Sequence, residues 1–203
     1  MITHLPREFK VQLLETFNKL WVNSTYPAEW TKWIVVPIFK GKGETSNPKN
    51  YRSIFLNSCV AKVFEKMVND RLVYILETRK LFHHHQYGFR KGHSTTDHLI
   101  QFEKSVRGAL AKKYYAQVVF LDISKAYDTT WRRIILENLR SWNIGGYMFK
   151  FILQSLRRRT FKVAANGALS SEKVTENGLC QGSALSCTLF LIAINTLINT
   201  SSR

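Results

Sequence analysis

Acidic residues are scarce in this sequence. Fourteen aspartates and glutamates stand against 30 lysines and arginines, a formal net charge of +16 over 203 residues, with a pI near 10. That imbalance points to an acidic polymer as partner, most simply nucleic acid, with an anionic membrane surface as the competitor. Long apolar runs are also missing. None approaches the roughly 18–20 residues of a membrane span, and no cleavable secretory signal follows Met1. Cysteine is rare: Cys59, Cys180 and Cys187 form no Cys-x-x-Cys pair. This argues against a disulfide framework or a zinc site and for a reducing, intracellular setting. No Gly-Lys-Ser/Thr ending marks a Walker loop. No Asp-Asp pair occurs, and there is no internal repeat, low-complexity tract or obvious linker. What remains is a globular composition, 45% apolar, long enough for one large domain or two small ones with a sizeable core.

The most informative stretch is Ala116-Gln-Val-Val-Phe-Leu-Asp-Ile-Ser-Lys-Ala-Tyr-Asp128. Its apolar run, Val118 to Leu121, reads as a strand buried on both faces. The run ends on Asp122, at the rim of a sheet. A carboxylate there is either an ordinary strand-end acid or a ligand for a divalent metal. Asp128 stands before Thr-Thr-Trp131 and is favoured as an N-cap over a metal ligand. The helix it would open carries Trp131, Ile134, Ile135, Leu139 and Trp142 on one face, with Gly145-Gly146 as its stop.

The chain before this stretch predicts a helix over 5–22, with Pro6 in its first turn and Phe9, Leu13, Phe17, Leu20 and Trp21 at helical spacing. Trp33 to Phe39 predicts a strand, and Pro37 within it suggests an edge. A basic, turn-rich loop, 40–50, leads to a second strand, Tyr51 to Leu56. Lys40 and Arg52 flank that loop and suit the phosphates of a nucleotide, Arg52 by a two-pronged contact. The plain alternative is a solvated hairpin tip. From Val60 to about Thr78 an apolar stripe predicts a long helix. His83, His84 and His85 are adjacent and cannot all point one way, which makes a metal role unattractive. Ser94 and Asp97 form a capping box opening a helix with Leu99, Phe102, Val106 and Leu110 inward.

Beyond residue 145, Tyr147 to Leu156 predicts a helix ending in Arg157, Arg158 and Arg159. That cluster either tracks a nucleic-acid backbone or is a solvated helix end. Phe161 to Ala168 predicts a hairpin turning on Asn166-Gly167. Asn177-Gly178 leads to a segment from Leu179 that runs into an apolar helix through Ile198. Gly182 at its mouth permits close approach to backbone, and Gln181 offers a donor and an acceptor.

Taken in order, these segments resemble the reverse transcriptases of non-LTR, jockey-like retrotransposons. The matching stretches are Trp30 to Lys40, Tyr51 to Leu56, Gln86-Tyr-Gly-Phe-Arg90 with Ser94-Thr95, Leu121 to Asp128, and Gln181-Gly-Ser-Ala-Leu-Ser186 with Leu189-Phe190. The resemblance implies an α+β right-hand polymerase: an N-terminal extension and fingers over 1–113, and a partial palm over 114–203. It makes Asp122 the first metal-binding aspartate, helped by the Ile123 carbonyl. Tyr127 becomes the aromatic gate that selects deoxynucleotides. Lys40 and Arg52 become the clasp on the triphosphate, and Gln181 and Gly182 the lining of the nucleotide and template pocket. The implied chemistry is two-metal nucleotidyl transfer with Mg²⁺ or Mn²⁺, on an RNA template and DNA primer, from deoxynucleoside triphosphates, with no membrane.

The sequence also departs from that family. Arg-Pro-Ile-Ser is Arg52-Ser-Ile-Phe55 here, Pro-Gln-Gly is Cys180-Gln-Gly182, and Leu-Ser-Pro is Leu185-Ser-Cys187. The Tyr/Phe-x-Asp-Asp turn expected after the Gln181 helix, and the thumb, do not occur in the 203 residues. One carboxylate and a carbonyl cannot neutralise two divalent ions. The sequence therefore leaves three readings: part of a polymerase inactive alone, a non-catalytic nucleic-acid-binding relic, or an inert decayed product. It also leaves the Asp122 strand with an open edge, an aggregation risk.

Overall fold

The computed structural model describes residues 4–200, with side chains for 4–197. An apolar residue at nearly every fourth position organises the long second helix. Phe64, Val68, Leu72 and Leu76 of α2 (Cys59–Thr78) form one buried stripe. Phe17 of α1 (Arg7–Val22) stacks on Phe64 with ring centroids 4.7 Å apart, and Phe151 meets the other side edge-on at 5.1 Å. Around them pack α5 (Arg132–Ser141), α6 (Gly146–Leu156) and α7 (Ser186–Thr200) through Ile135, Leu139, Ile152, Leu189 and Ile192. Each fully buried side chain of this kind contributes roughly 1.5–3 kcal/mol, so the helical layer holds the molecule. Phe9, expected inward, is 58% exposed and adds nothing to that layer.

A sheet lies against the helices. β1 (Lys32–Phe39) pairs antiparallel with β2 (Tyr51–Leu56), joining Phe39 to Tyr51 at the loop end. Its first half also pairs in parallel with β3 (Arg159–Ala165), from Lys32–Thr160 to Val35–Val163. β1 is thus interior, not the edge that Pro37 suggested. Pro37 is tolerated because the β3 ladder stops at Val35, so its missing N–H falls where only β2 is alongside. β3 turns through Asn166 and Gly167, both at positive φ, into the short β4 (Ala168–Leu169), and β5 (Lys173–Thr175) pairs with β3. The Asn-Gly hairpin and the Ser94–Asp97 capping box of α3 (Thr95–Ala111) are both present as expected. The architecture is α+β.

Four further expectations give way. The Val118–Leu121 run is not a buried strand: it is extended, without ladder partners, and Val119, Phe120 and Leu121 are 72%, 85% and 89% exposed. An apolar run becomes a strand only where another strand accepts its N–H and C=O groups, and among the described residues none lies beside it. For the same reason α3 buries none of its residues, and Leu99 and Leu110 face outward at 57% and 59% exposure. Its one ring contact to the run is Phe102 to Phe120, 6.4 Å between centroids. Asp128 caps no helix; it lies inside the one-turn α4 (Ala126–Thr129), and Trp131 stands at the N-cap of α5. Asn143, not Gly145-Gly146, ends α5: at φ 54° it lets the Ile144 N–H donate to Leu139 O at 2.9 Å.

The apolar run sets a testable solution property. The chain should self-associate as concentration rises, and Phe120→Lys should suppress this by placing a charge on the open edge. Sedimentation velocity decides it; a monomer at all concentrations, unchanged by the substitution, contradicts the account.

Candidate functional site

Three stretches far apart in sequence meet at one end of the sheet. The first is the β1–β2 hairpin, whose register carries Lys40 and Arg52 to its tip. Asn47 caps a short turn, Pro48–Asn50, by accepting from the Lys49 N–H at 3.0 Å. The Lys40 ammonium folds back and donates to Lys49 O at 2.7 Å. The second stretch is 122–128, where Lys125 at φ 51° reverses the chain into α4. The third is the loop 177–184. Its Leu179 N–H donates to Tyr127 O at 2.7 Å and its Gly178 N–H to Thr130 O at 2.9 Å. Gln181 O accepts from the Phe55 N–H of β2 at 2.8 Å. Gly182 sits at φ +132°, and a Cβ on it would stand 2.3 Å from Phe55 O. Only glycine allows the loop to lie this close to β2.

The stretches enclose a cleft of about 520 Å³ whose lining includes Lys40, Arg52, Asp122, Ile123, Asp128 and Gln181. Five of these are residues singled out from the sequence; Asp128 joins them from a position assigned to capping. Gly182 is not in the lining; its role is the close approach of the loop to β2. Tyr127 turns away: its ring stacks on Phe190, centroids 5.4 Å apart, and its hydroxyl donates to Cys187 Sγ at 3.3 Å. Burial, then the thiol beside it, raises the Tyr127 phenol above its ordinary range. The arginine cluster is split. Arg157 and Arg158 are exposed, whereas Arg159 is 1% exposed and donates to Ser155 O at 2.6 Å and to Cys180 Sγ at 3.2 Å. Its guanidinium lies over Trp33, 5.6 Å from the ring centroid. Arg159 is therefore withdrawn from any backbone-tracking role.

Behind the loop lie residues that sequence reading passed over. The Glu65 carboxylate is fully buried on the apolar stripe of α2. It accepts from the Tyr26 hydroxyl at 2.7 Å, the Ser183 hydroxyl at 2.7 Å and the Ala184 N–H at 3.2 Å. Burial and the adjacent Glu65 charge push the Tyr26 phenol far above its ordinary value. Arg132, 8% exposed, donates to Gly178 O, Leu156 O, Thr175 O, Thr175 Oγ1 and Asn177 O at 2.6–3.0 Å. Burial, then the neighbouring Arg159 charge, brings its pKa down to about 10. The signal for Glu65 was visible: a charge within an otherwise apolar helical stripe requires buried partners.

The donor set decides whether these residues fit a divalent ion. Asp122, Asp128 and the Ile123 carbonyl offer hard oxygen donors at one cleft. Among the described residues, however, no three His, Cys, Asp or Glu stand together as a metal site. Mg²⁺ demands a near-complete octahedral oxygen shell, so these residues do not by themselves make a two-ion centre.

Residues 39–203 match the model of the reverse transcriptase (RNA-dependent DNA polymerase) family. The chain belongs to that family. Similar proteins include the probable RNA-directed DNA polymerase from transposon X-element of Drosophila melanogaster, 31% identical over 93% of this chain and 21% of that protein. The corresponding protein from transposon BS of the same species is 30% identical over 93% and 21%. The RNA-directed DNA polymerase from mobile element jockey of Drosophila funebris is 30% identical over 93% and 20%. The chain thus resembles non-LTR retrotransposon polymerases and spans about a fifth of their length. No helix among the described residues is long and apolar enough to cross a membrane.

The buried carboxylate gives the site its own test. Glu65→Ala leaves two hydroxyls and one N–H without an acceptor, so unfolding free energy should fall by about 3 kcal/mol in a urea titration. A loss below about 1 kcal/mol would show that the three bonds contribute little.

Proposed function

We propose that this chain is the front part of an RNA-directed DNA polymerase site, with the 520 Å³ cleft as its nucleotide pocket. The single observation that carries the reading is that Lys40, Arg52, Asp122, Ile123 and Gln181, from three distant segments, line one cavity. On this reading residues 1–113 form the N-terminal extension and fingers, and 114–203 the palm. Arg52 and Lys40 take the triphosphate: a guanidinium meets phosphate oxygens in a two-pronged contact, and an ammonium meets them as a point charge. The Lys40 ammonium must first exchange the Lys49 carbonyl for phosphate oxygen. Gln181 presents an amide to the base or template. Tyr127, stacked on Phe190, serves as the sugar gate only after its ring turns towards the cleft.

Asp122 supplies part of a metal ligand set, and Asp128, the other acid in the cleft lining, is the candidate to add to it. Mg²⁺ or Mn²⁺ is the cofactor of the complete enzyme, with RNA template, DNA primer and deoxynucleoside triphosphates as partners. Since the ligand set here is partial, the 203 residues alone do not extend a primer. Their net charge of +16 suits them to hold nucleotide and nucleic acid.

The test separates the clasp from the template surface. Arg52→Ala should weaken deoxynucleoside triphosphate binding about tenfold or more, the loss of one charge-assisted contact, and template–primer binding much less. Calorimetric titration with each ligand reads both. Equal losses would move Arg52 onto the template, and no measurable affinity for either ligand would leave the inert reading.

A further inference from the structure

A second concavity, of about 560 Å³, lies between the start of α5, the end of α6 and β5, and shares no lining residue with the Asp122 cleft. Trp131 stands at its edge, 57% exposed. As the N-cap of α5 it makes no side-chain cap bond, in a place where Ser, Thr or Asp would satisfy an open N–H. The residue is therefore explained neither by capping nor by burial. Arg133 reaches over the indole, 6.0 Å from the ring centroid, while also pairing with Glu137 at 2.6 Å.

Across the concavity, the chain leaves α6 through Arg157 and Arg158. Arg158 takes φ +46°, an unfavourable conformation for an L-residue with a side chain. That turn sends Arg159 into the core and keeps Arg157 and Arg158 outside. Among the described residues neither exposed arginine has an ion pair. Arg132 in the same wall is saturated by its carbonyls, and Glu176 is the only acid in the lining. A large exposed ring sharing a concavity with two guanidiniums that carry no ion pair is a combination suited to unpaired bases and their phosphates.

We propose that this concavity is a second contact for single-stranded nucleic acid, apart from the nucleotide cleft, with Trp131 stacking on a base and Arg157 and Arg158 meeting phosphates. It rests on the reading above only in taking nucleic acid as the partner polymer. A membrane surface fits less well, because the ring and guanidiniums rim a hollow that a strand can enter and a flat bilayer cannot.

Fluorescence anisotropy with labelled oligothymidylate and oligouridylate tests it on the full chain over a salt series. Trp131→Ala should weaken binding about tenfold, the loss of one base stack, and Trp131→Phe should restore most of it. The Arg157→Glu/Arg158→Glu pair should weaken binding and reduce the slope of log affinity against log salt by about 1.4, for two phosphate contacts on a single strand. Circular dichroism checks that each variant folds, and both arginines are surface positions. Unchanged oligonucleotide affinity in Trp131→Ala and in the arginine pair overturns the proposal. So does loss of binding to phosphatidylserine vesicles in the same variants with oligonucleotide binding intact, which would make the face a lipid contact. Triphosphate binding, measured in parallel with Arg52→Ala, separates the claims: its failure with the Trp131 result as expected removes the polymerase reading and leaves this one standing.

Discussion

A buried carboxylate holds this structure together beside its cleft. Glu65 sits on the stripe that α2 presents to the core, where an unpaired charge would be prohibitively costly. Its donors come from both sides of the molecule: Tyr26 from the turn after α1, and Ser183 with Ala184 from the loop before α7. The carboxylate therefore ties residues separated by more than a hundred positions. Arg132 performs the complementary task on the opposite flank of the same loop, donating to backbone carbonyls that would otherwise be buried without partners. Between an acceptor at 183–184 and a donor at 175–178, the stretch carrying Gln181 has little freedom. Gly182 then brings it against β2. The cleft is a by-product of these fixings: its walls belong to three segments, and none of them holds its position alone.

The departures from the family pattern find a place in this arrangement. Cys180 and Cys187 stand where the resemblance leads one to expect proline, and both sulfurs accept a hydrogen bond. Cys180 receives the buried Arg159, and Cys187 receives Tyr127. Burial raises the Cys180 thiol, while the Arg159 charge opposes that rise.

The sequence made some of this legible and hid the rest for physical reasons. Local chemistry was readable: Asn166-Gly167 turns the hairpin, and Ser94 with Asp97 caps α3, because each depends on neighbours in the chain. The α2 stripe was readable because 3.6-residue periodicity survives in any context. The gathering of Lys40, Arg52, Asp122, Ile123 and Gln181 followed from resemblance rather than from any rule of spacing. Properties that depend on a distant partner were misread. Val118 to Leu121 has the composition of a core strand, but composition does not supply the neighbouring strand. Leu99 and Leu110 have helical spacing, yet nothing covers α3. Arg159 looked like its two neighbours until one αL residue turned it inward. Asp128 looked like a cap because helix phase is invisible before the Lys125 reversal is known.

On the proposed reading the cleft is one part of a polymerase site and Asp122 its first metal carboxylate. The most direct test joins this chain to the segment of the jockey relative that follows the matched region and supplies template, primer and deoxynucleotides with Mg²⁺. The account predicts primer extension that disappears on Asp122→Ala while template binding persists. Extension that survives Asp122→Ala would contradict it, because the chemistry would then be running without the carboxylate assigned to the metal.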